Sequence, residues 1–334
     1  MPTTTISIEQ LAEAKQRGAA YLLGRQSDED GAVGDPSGGL GSYYKAPWAL
    51  AAAGQSLAGA KVVNWIREHM LASNGDIDGE PGRGPNFARA YAYPNAWIIC
   101  GAQKLGQFDV AHKGAEFLMK LQHKETGGFQ TQLEKPDSPQ DVMSACQAGN
   151  AALYTGHLDV ARGVARFLAT VWEDQPDPEH ALYYVYRPGR GLITDAPEER
   201  ERNCVVRADG EKQRYFQIGI AAAFLTKLSL ATGEPQHLEL AGKYLELAFA
   251  CTDGMYETAQ VGKVGWGAAL LFGATGDERV RELALRVGDA LLKQQNDDGS
   301  WFNTGGYSID AVTDEVTAEF VSLLDEMVQG LSSA

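Results

Sequence analysis

Cysteine is scarce in this sequence of 334 residues, and long apolar runs are missing from it. Cys100, Cys146, Cys204 and Cys251 lie far apart with no Cys-x-x-Cys pair, a spacing that gives no support to a disulfide framework or a zinc knuckle. No stretch approaches the apolar length needed to span a bilayer, and the start, MPTTTISIEQ, lacks a basic segment followed by an apolar run. A basic excess is absent too. The formal net charge of −15 argues against a general affinity for nucleic acid or an anionic membrane, both of which need a positive patch. His69, His112, His157, His180 and His237 show no ligand spacing, so neither metal nor organic cofactor is implied. A soluble, cytoplasmic protein with a small-molecule partner is expected, with assembly into a homo-oligomer left open.

What is present is a repeat. Its fullest copy, Arg286 to Trp301, reads RVGDALLKQQNDDGSW: an amphipathic helix, a glutamine, and a close on Gly-x-aromatic. Degenerate copies start at Arg17, Lys61, Lys113, Arg162 and Gly242, the fourth diverted after Trp172 into a long insertion. A repeat of this period means one supersecondary unit used several times, none able to bury its apolar face alone.

Between the copies lies a second set of helices, rich in alanine and glycine and apolar on most sides, as a helix buried all round reads. They begin near Tyr43, Tyr93, Gln140, Tyr215, Lys263 and Thr313. Gly54, Gly106, Gly156, Gly233 and Gly276 mark tight turns from each inner helix to an outer repeat helix, the short connection of an antiparallel helical hairpin. The first outer helix (about 8 to 26) and the last inner one (about 313 to 328) are left over and can pair to close a ring. The expected fold is all-α, an (α/α)6 barrel or toroid spanning 1–334 as a single domain, six helices inside and six outside. The insertion, 173–213, has strand-like alternation and is expected to form a small β-hairpin or flap over the cavity mouth, bearing Tyr183, Tyr184 and Tyr186. The long outer-to-inner loops fall on one rim, where binding is expected.

The repeat at Arg17, Lys113 and Arg286, with its basic residue, apolar pair, Gln and Gly-x-aromatic close, resembles the Gln-Trp repeat of the squalene cyclase and protein prenyltransferase superfamily. That resemblance implies an α/α toroid around an apolar ligand. It does not bring the chemistry with it: the nearest acidic stretch, Asn74 to Glu80, lacks the third aspartate of a protonating Asp-x-Asp-Asp cluster. Asp141 to Cys146 has the wrong spacing for a prenyltransferase zinc site.

Aligning the inner helices on their closing glycines puts Tyr44, Trp97, Cys146 and Trp266 at one level of the cavity, with Trp48, Tyr91, Tyr93, Tyr215, Phe216 and Trp301 towards the rim. Such aromatics can line a pocket or fill a solid core. Candidate catalytic groups are Asp76, Asp78, Asp141, Cys146 and Tyr44, with Asp209, Asp310, Asp314, Glu315 and His123 also at the rim and Lys45 and Lys263 as cations. Each has a plainer alternative: Asp141 and Asp314 as helix caps, Asp76 and Asp78 in an Asx-turn, Cys146 as a buried structural thiol. The leading expectation is an acid/base enzyme acting on an apolar or amphipathic molecule, terpenoid-like or aromatic, by cyclisation, isomerisation or hydration/dehydration: an isomerase or lyase. The alternatives are a carbohydrate-active (α/α)6 enzyme, whether glycosidase, lyase or epimerase, and a binding scaffold.

Overall fold

The structure, a computed structural model, describes residues 6–78, 87, 90–197, 200, 203–302 and 310–333, those at 310–312 by backbone alone. It is an (α/α)6 toroid. The outer helices are α1 (Ile8–Gly24), α3 (Ser56–His69), α5 (Phe108–Leu118), α7 (Leu158–Glu173), α9 (Gln236–Ala250) and α11 (Glu278–Gln294). The inner ones are α2 (Ala46–Ala52), α4 (Ala92–Lys104), α6 (Val142–Tyr154), α8 (Phe216–Thr232), α10 (Gly262–Thr275) and α12 (Asp310–Ser332). Each inner helix packs on the next, α12 packs on α2, and α1 packs on α12, so the two helices left over in the sequence close the ring.

Local chemistry sets these boundaries. Ser7 and Gln10 form a reciprocal capping box at the start of α1, and Asp277 caps α11 by accepting from the Arg279 amide. All five turn glycines between inner and outer helices have positive φ, from 71° to 84°, a conformation that side chains with a Cβ resist.

The repeat glutamine explains how neighbouring units are joined. Gln122 Nε2 donates to the Gly127 carbonyl in its own turn and to the Val160 carbonyl of the next outer helix, both at 2.9 Å. Gln26 and Gln295 make the equivalent pairs, with Gly31 and Ala58 and with Gly299 and Ala14. Gly127 has φ 79° and lies so close to the next helix that a Cβ there would run into the Gly163 carbonyl. The glutamine and glycine of the repeat are therefore clamps between successive outer helices.

The insertion carries β2 (Ala181–Tyr183), β3 (Val185–Arg187), β4 (Gly191–Leu192) and β5 (Val205–Arg207). Instead of one hairpin it forms two small antiparallel sheets. β2 pairs with β5, while β3 pairs with β4 and also recruits β1 (Gln140–Asp141) from just before α6.

Candidate active site

Four charged side chains meet where the inner helices point their N-termini. Lys45 precedes α2, Lys263 is the second residue of α10, and Glu315 and Glu319 stand one turn apart on α12, a spacing that puts both on one face. Lys45 Nζ lies 2.9 Å from Glu315 and also pairs with Glu319, which in turn pairs with Lys263. The Tyr44 hydroxyl donates to Glu315 at 2.5 Å. Tyr93 underlies both ammonium groups, at 5.7 Å from Lys45 and 6.0 Å from Lys263, and Trp97 and Phe216 extend this aromatic bed. Both lysines are buried, whereas Glu315 and Glu319 keep 24% and 12% of their side-chain surface exposed. The carboxylates are the edge of the cluster that solvent reaches.

The two lysines differ in their protonation. Burial alone would lower Lys45, but its two carboxylate partners outweigh that and raise its pKa above the ordinary lysine range. Lys263 is lowered first by burial, is offset mainly by Glu319 and less by Glu315, and is repelled by Lys45, so its pKa falls to about 8. Burial would raise Glu319, yet the two lysines hold it down at about 2. Burial, then Glu315, pushes Tyr44 well above the usual phenol.

Below this layer Trp48 and Trp97 pack with ring centroids 4.9 Å apart, and Trp266 meets Trp48 edge-on at 6.5 Å. A second charged layer lies at the other end of the axis. Glu326 accepts from Trp266 Nε1 at 2.5 Å and from Lys227 at 2.8 Å, with Lys104 at 3.9 Å and Tyr154 beside it. Lys104 and Lys227 both stand about 5 Å from the Trp48 ring.

The structure thus brings Tyr44, Trp48, Tyr93, Trp97 and Trp266 together on the axis. Trp48, not Tyr44, shares the level of Trp97 and Trp266, because α2 has only seven residues and starts after Tyr44.

The other candidates lie elsewhere. Asp76 accepts from the Tyr91 hydroxyl at 2.5 Å, from Asn95 at 3.1 Å and from the Ile77 amide at 2.8 Å, which fixes the second repeat turn to the start of α4. Asp78 is exposed beside it, 3.4 Å from the Tyr91 hydroxyl. Asp141 caps α6, accepting from the Ser144 amide and hydroxyl at 2.8 Å each, and burial raises its pKa.

Cys146 is fully buried. It lies close to Tyr244 of outer helix α9, and burial followed by the charge of Asp141 pushes its thiol well up, which leaves it a poor nucleophile. Tyr215 pins the end of the insertion, donating to the Gly210 carbonyl at 2.8 Å. Trp301 is at the ring seam: its indole donates to the Leu291 carbonyl at 2.8 Å, and its ring meets Phe320 and abuts Gly18. Asp314 is buried against Arg25 and Tyr21, tying α12 to α1. The His123 ring accepts from the Thr126 amide within a repeat turn. The side chain of Asp310 lies outside the described residues. No group of three or more His, Cys, Asp or Glu side chains suited to a metal occurs among the described residues, and no described helix is long and apolar enough to cross a membrane.

Sequence reasoning passed over Glu319, Glu326, Lys227 and Lys104. The signal was available: Glu315, Glu319 and Glu326 recur at four and seven residues on a largely apolar inner helix, and Lys227 is the one charge in α8. A charge on a helix buried all round has to find a partner on the axis.

No family model matches the chain, and no curated protein does. Solved structures do resemble it along almost their whole length. A D-mannose isomerase aligns with TM-score 0.72 and 13% identity, covering 97% of this chain and 98% of its own. The cellobiose 2-epimerase of Spirochaeta thermophila aligns with TM-score 0.67 and 12% identity, covering 96% and 98%. An unsaturated glucuronyl hydrolase specific for heparin gives TM-score 0.62 and 9% identity, covering 97% and 98%. At such identities the likeness shows the toroid. It also reduces the squalene cyclase and prenyltransferase resemblance to one of architecture, since these neighbours bear the names of sugar enzymes, and the terpenoid-cyclase-like reading gains no support from them.

Proposed function

We propose that this chain is a carbohydrate-active enzyme of the isomerase type, moving a proton between the carbonyl carbon of a sugar and its neighbour. The observation that carries this reading is the charged layer at the mouth, in which one lysine with a pKa of about 8 shares a glutamate with a second lysine above a bed of aromatic rings. An apolar isoprenoid offers these four charges no hydrogen bonds and would have to desolvate them. A sugar offers hydroxyls to the charges and C–H faces to Tyr93 and Trp97.

In the proposed step, neutral Lys263 takes the proton from the carbon next to the carbonyl, and the electron pair of that C–H bond passes into an enediolate. Lys45 and the Tyr44 hydroxyl stabilise its oxygens by charge and hydrogen bonding. Returning a proton from Lys263, whose ammonium protons exchange with solvent while the enediolate is held, to the former carbonyl carbon, with a proton passing between the two oxygens by way of Tyr44 and Glu315, completes an aldose–ketose exchange. One base suffices for that reaction. Hydrolysis is the weaker reading, because a glycosidase needs one carboxyl kept protonated and Glu319 is held at about 2. In this reading the insertion covers the mouth and limits water.

The test is incubation with aldoses, ketoses and reducing disaccharides in heavy water, following deuterium at the carbon beside the carbonyl by NMR. Exchange should appear with at least one of them, rise with pH through about 8 and vanish in Lys263→Met. Absence of exchange across the panel would sink the proposal.

A further inference from the structure

Beneath the charged mouth, four polar atoms on the axis have no hydrogen-bond partner among the described residues: Trp48 Nε1, Trp97 Nε1, Gln147 Nε2 and Asn150 Oδ1. Their side chains are buried to 1% exposure or less. Buried polar groups in folded proteins are almost always satisfied, so four along one axis call for an explanation.

They share one region by helix register. Gln147, Asn150 and Tyr154 recur at three and four residues along α6 and therefore lie on one face. Tyr154 on that face meets the Trp48 ring at 5.6 Å and both rear lysines at 5.0 and 5.3 Å, which fixes the face towards the axis. Asn150 Nδ2 donates to Gln147 Oε1 at 3.3 Å. Whichever way the two amides are turned, their pairing leaves one NH2 group and one carbonyl oxygen without a partner. With the Trp48 and Trp97 indoles, the unfilled set is three donor groups and one acceptor.

Two neighbouring hydroxyl groups meet that set, since each accepts two hydrogen bonds and donates one. We infer that Trp48, Trp97, Gln147 and Asn150 form a buried subsite that receives hydroxyls of the substrate, below the charged layer where proton transfer takes place. This rests on the mouth being a sugar site and adds a requirement to it: the ligand is a polyhydroxylated chain reaching past Tyr93, with its carbonyl end among Lys45, Lys263 and Glu315 and hydroxyls further down. The aromatic walls at this level are then the sides of a channel for C–H surfaces, and the amide pair is its polar floor.

The test uses D-mannose and sorbitol, a polyol with no carbonyl that cannot undergo the proton shift. Titration calorimetry should show both binding the wild-type chain, and both weakened about tenfold or more, the loss of one good hydrogen bond, in the double variant Gln147→Met, Asn150→Leu. The melting temperature of that variant should hold or rise, because it removes both amides together and strands neither. Binding unchanged by the variant would overturn the subsite and leave the amide pair as a seat for ordered water only, and so would failure of the wild type to bind sorbitol. Should the variant not fold, side-chain amide NMR of the wild type decides. Shifts of the Gln147 and Asn150 NH2 signals on adding sorbitol support the subsite, and their constancy overturns it. Deuterium exchange that persists while sorbitol fails to bind isolates the fault to this subsite, whereas sorbitol binding without exchange on any sugar isolates it to the proton-shift reading.

Discussion

The two ends of the ring axis use the same residue types to different effect. At the mouth two lysines face two glutamates, and at the rear Lys104 and Lys227 face the single Glu326. Rear Glu326 is 7% exposed and also fixed by the Trp266 indole, with burial and then the two lysines deciding a net lowered pKa. Mouth Glu315 and Glu319 keep more surface, and their lysines are pulled apart in pKa because Lys45 has two carboxylates and Lys263 has one. Rear Lys227 is lowered by burial as well, but its partner Glu326 is the more enclosed carboxylate, whereas the mouth carboxylates are reached by solvent. An uneven partition leaves one group able to change its protonation near neutral pH, and that is the chemical asset.

Substitutions at matched positions separate the two layers. Lys263→Met should lower deuterium exchange by roughly 10²–10⁴-fold, the usual contribution of a general base, while Lys227→Met at the rear should leave the rate per folded molecule within a small factor. Equal losses in both would erase the distinction. The next largest effect belongs to stability. Glu326→Leu strands Lys227 in a buried site and should cost about 3–5 kcal/mol in chemical denaturation, as breaking one side of a buried pair does. Glu315→Leu leaves Lys45 its second carboxylate but strands the Tyr44 hydroxyl, and should cost about 1–3 kcal/mol, less than the rear substitution. An equal cost would mean that the mouth is as structural as the rear.

The repeat helices, the turn glycines and the ring closure were legible in the sequence, because periodicity and the glycine demand of a tight turn are local. Trp301 and the repeat glutamines were legible as a motif but not as clamps, since their partners lie on the next repeat. The axis was legible only in part. Alanine-rich helices buried all round have no polar face to show which residues point inwards, so Cys146 could not be told from Gln147 one position on. Asp76 drew attention through its glycine-rich setting, yet its partners Tyr91 and Asn95 make it a structural bracket. Asp76→Ala should accordingly cost about 1–3 kcal/mol, the penalty for stranding buried partners, with deuterium exchange per folded molecule unchanged.

The smallest expected effect is a slope. In the folded chain Lys263 loses its proton near pH 8, whereas in the unfolded chain it keeps it to an ordinary 10.5. Between those values the unfolded state binds more protons, so this lysine makes stability rise with pH. Below pH 8 both states are protonated, and there Lys263 adds no pH dependence but carries the full cost of its burial. Lys45 acts in the opposite sense: its raised folded pKa gives stability that is present below 10.5 and is lost as pH rises further. The two contributions therefore separate at about 10.5. Urea denaturation from pH 7 to 10 should give a slope in the wild type that is more positive than in Lys263→Met. If Lys263→Met shows the wild-type slope, the lysine is fully charged in the folded mouth across this range, and the asymmetry that distinguishes the mouth from the rear is absent.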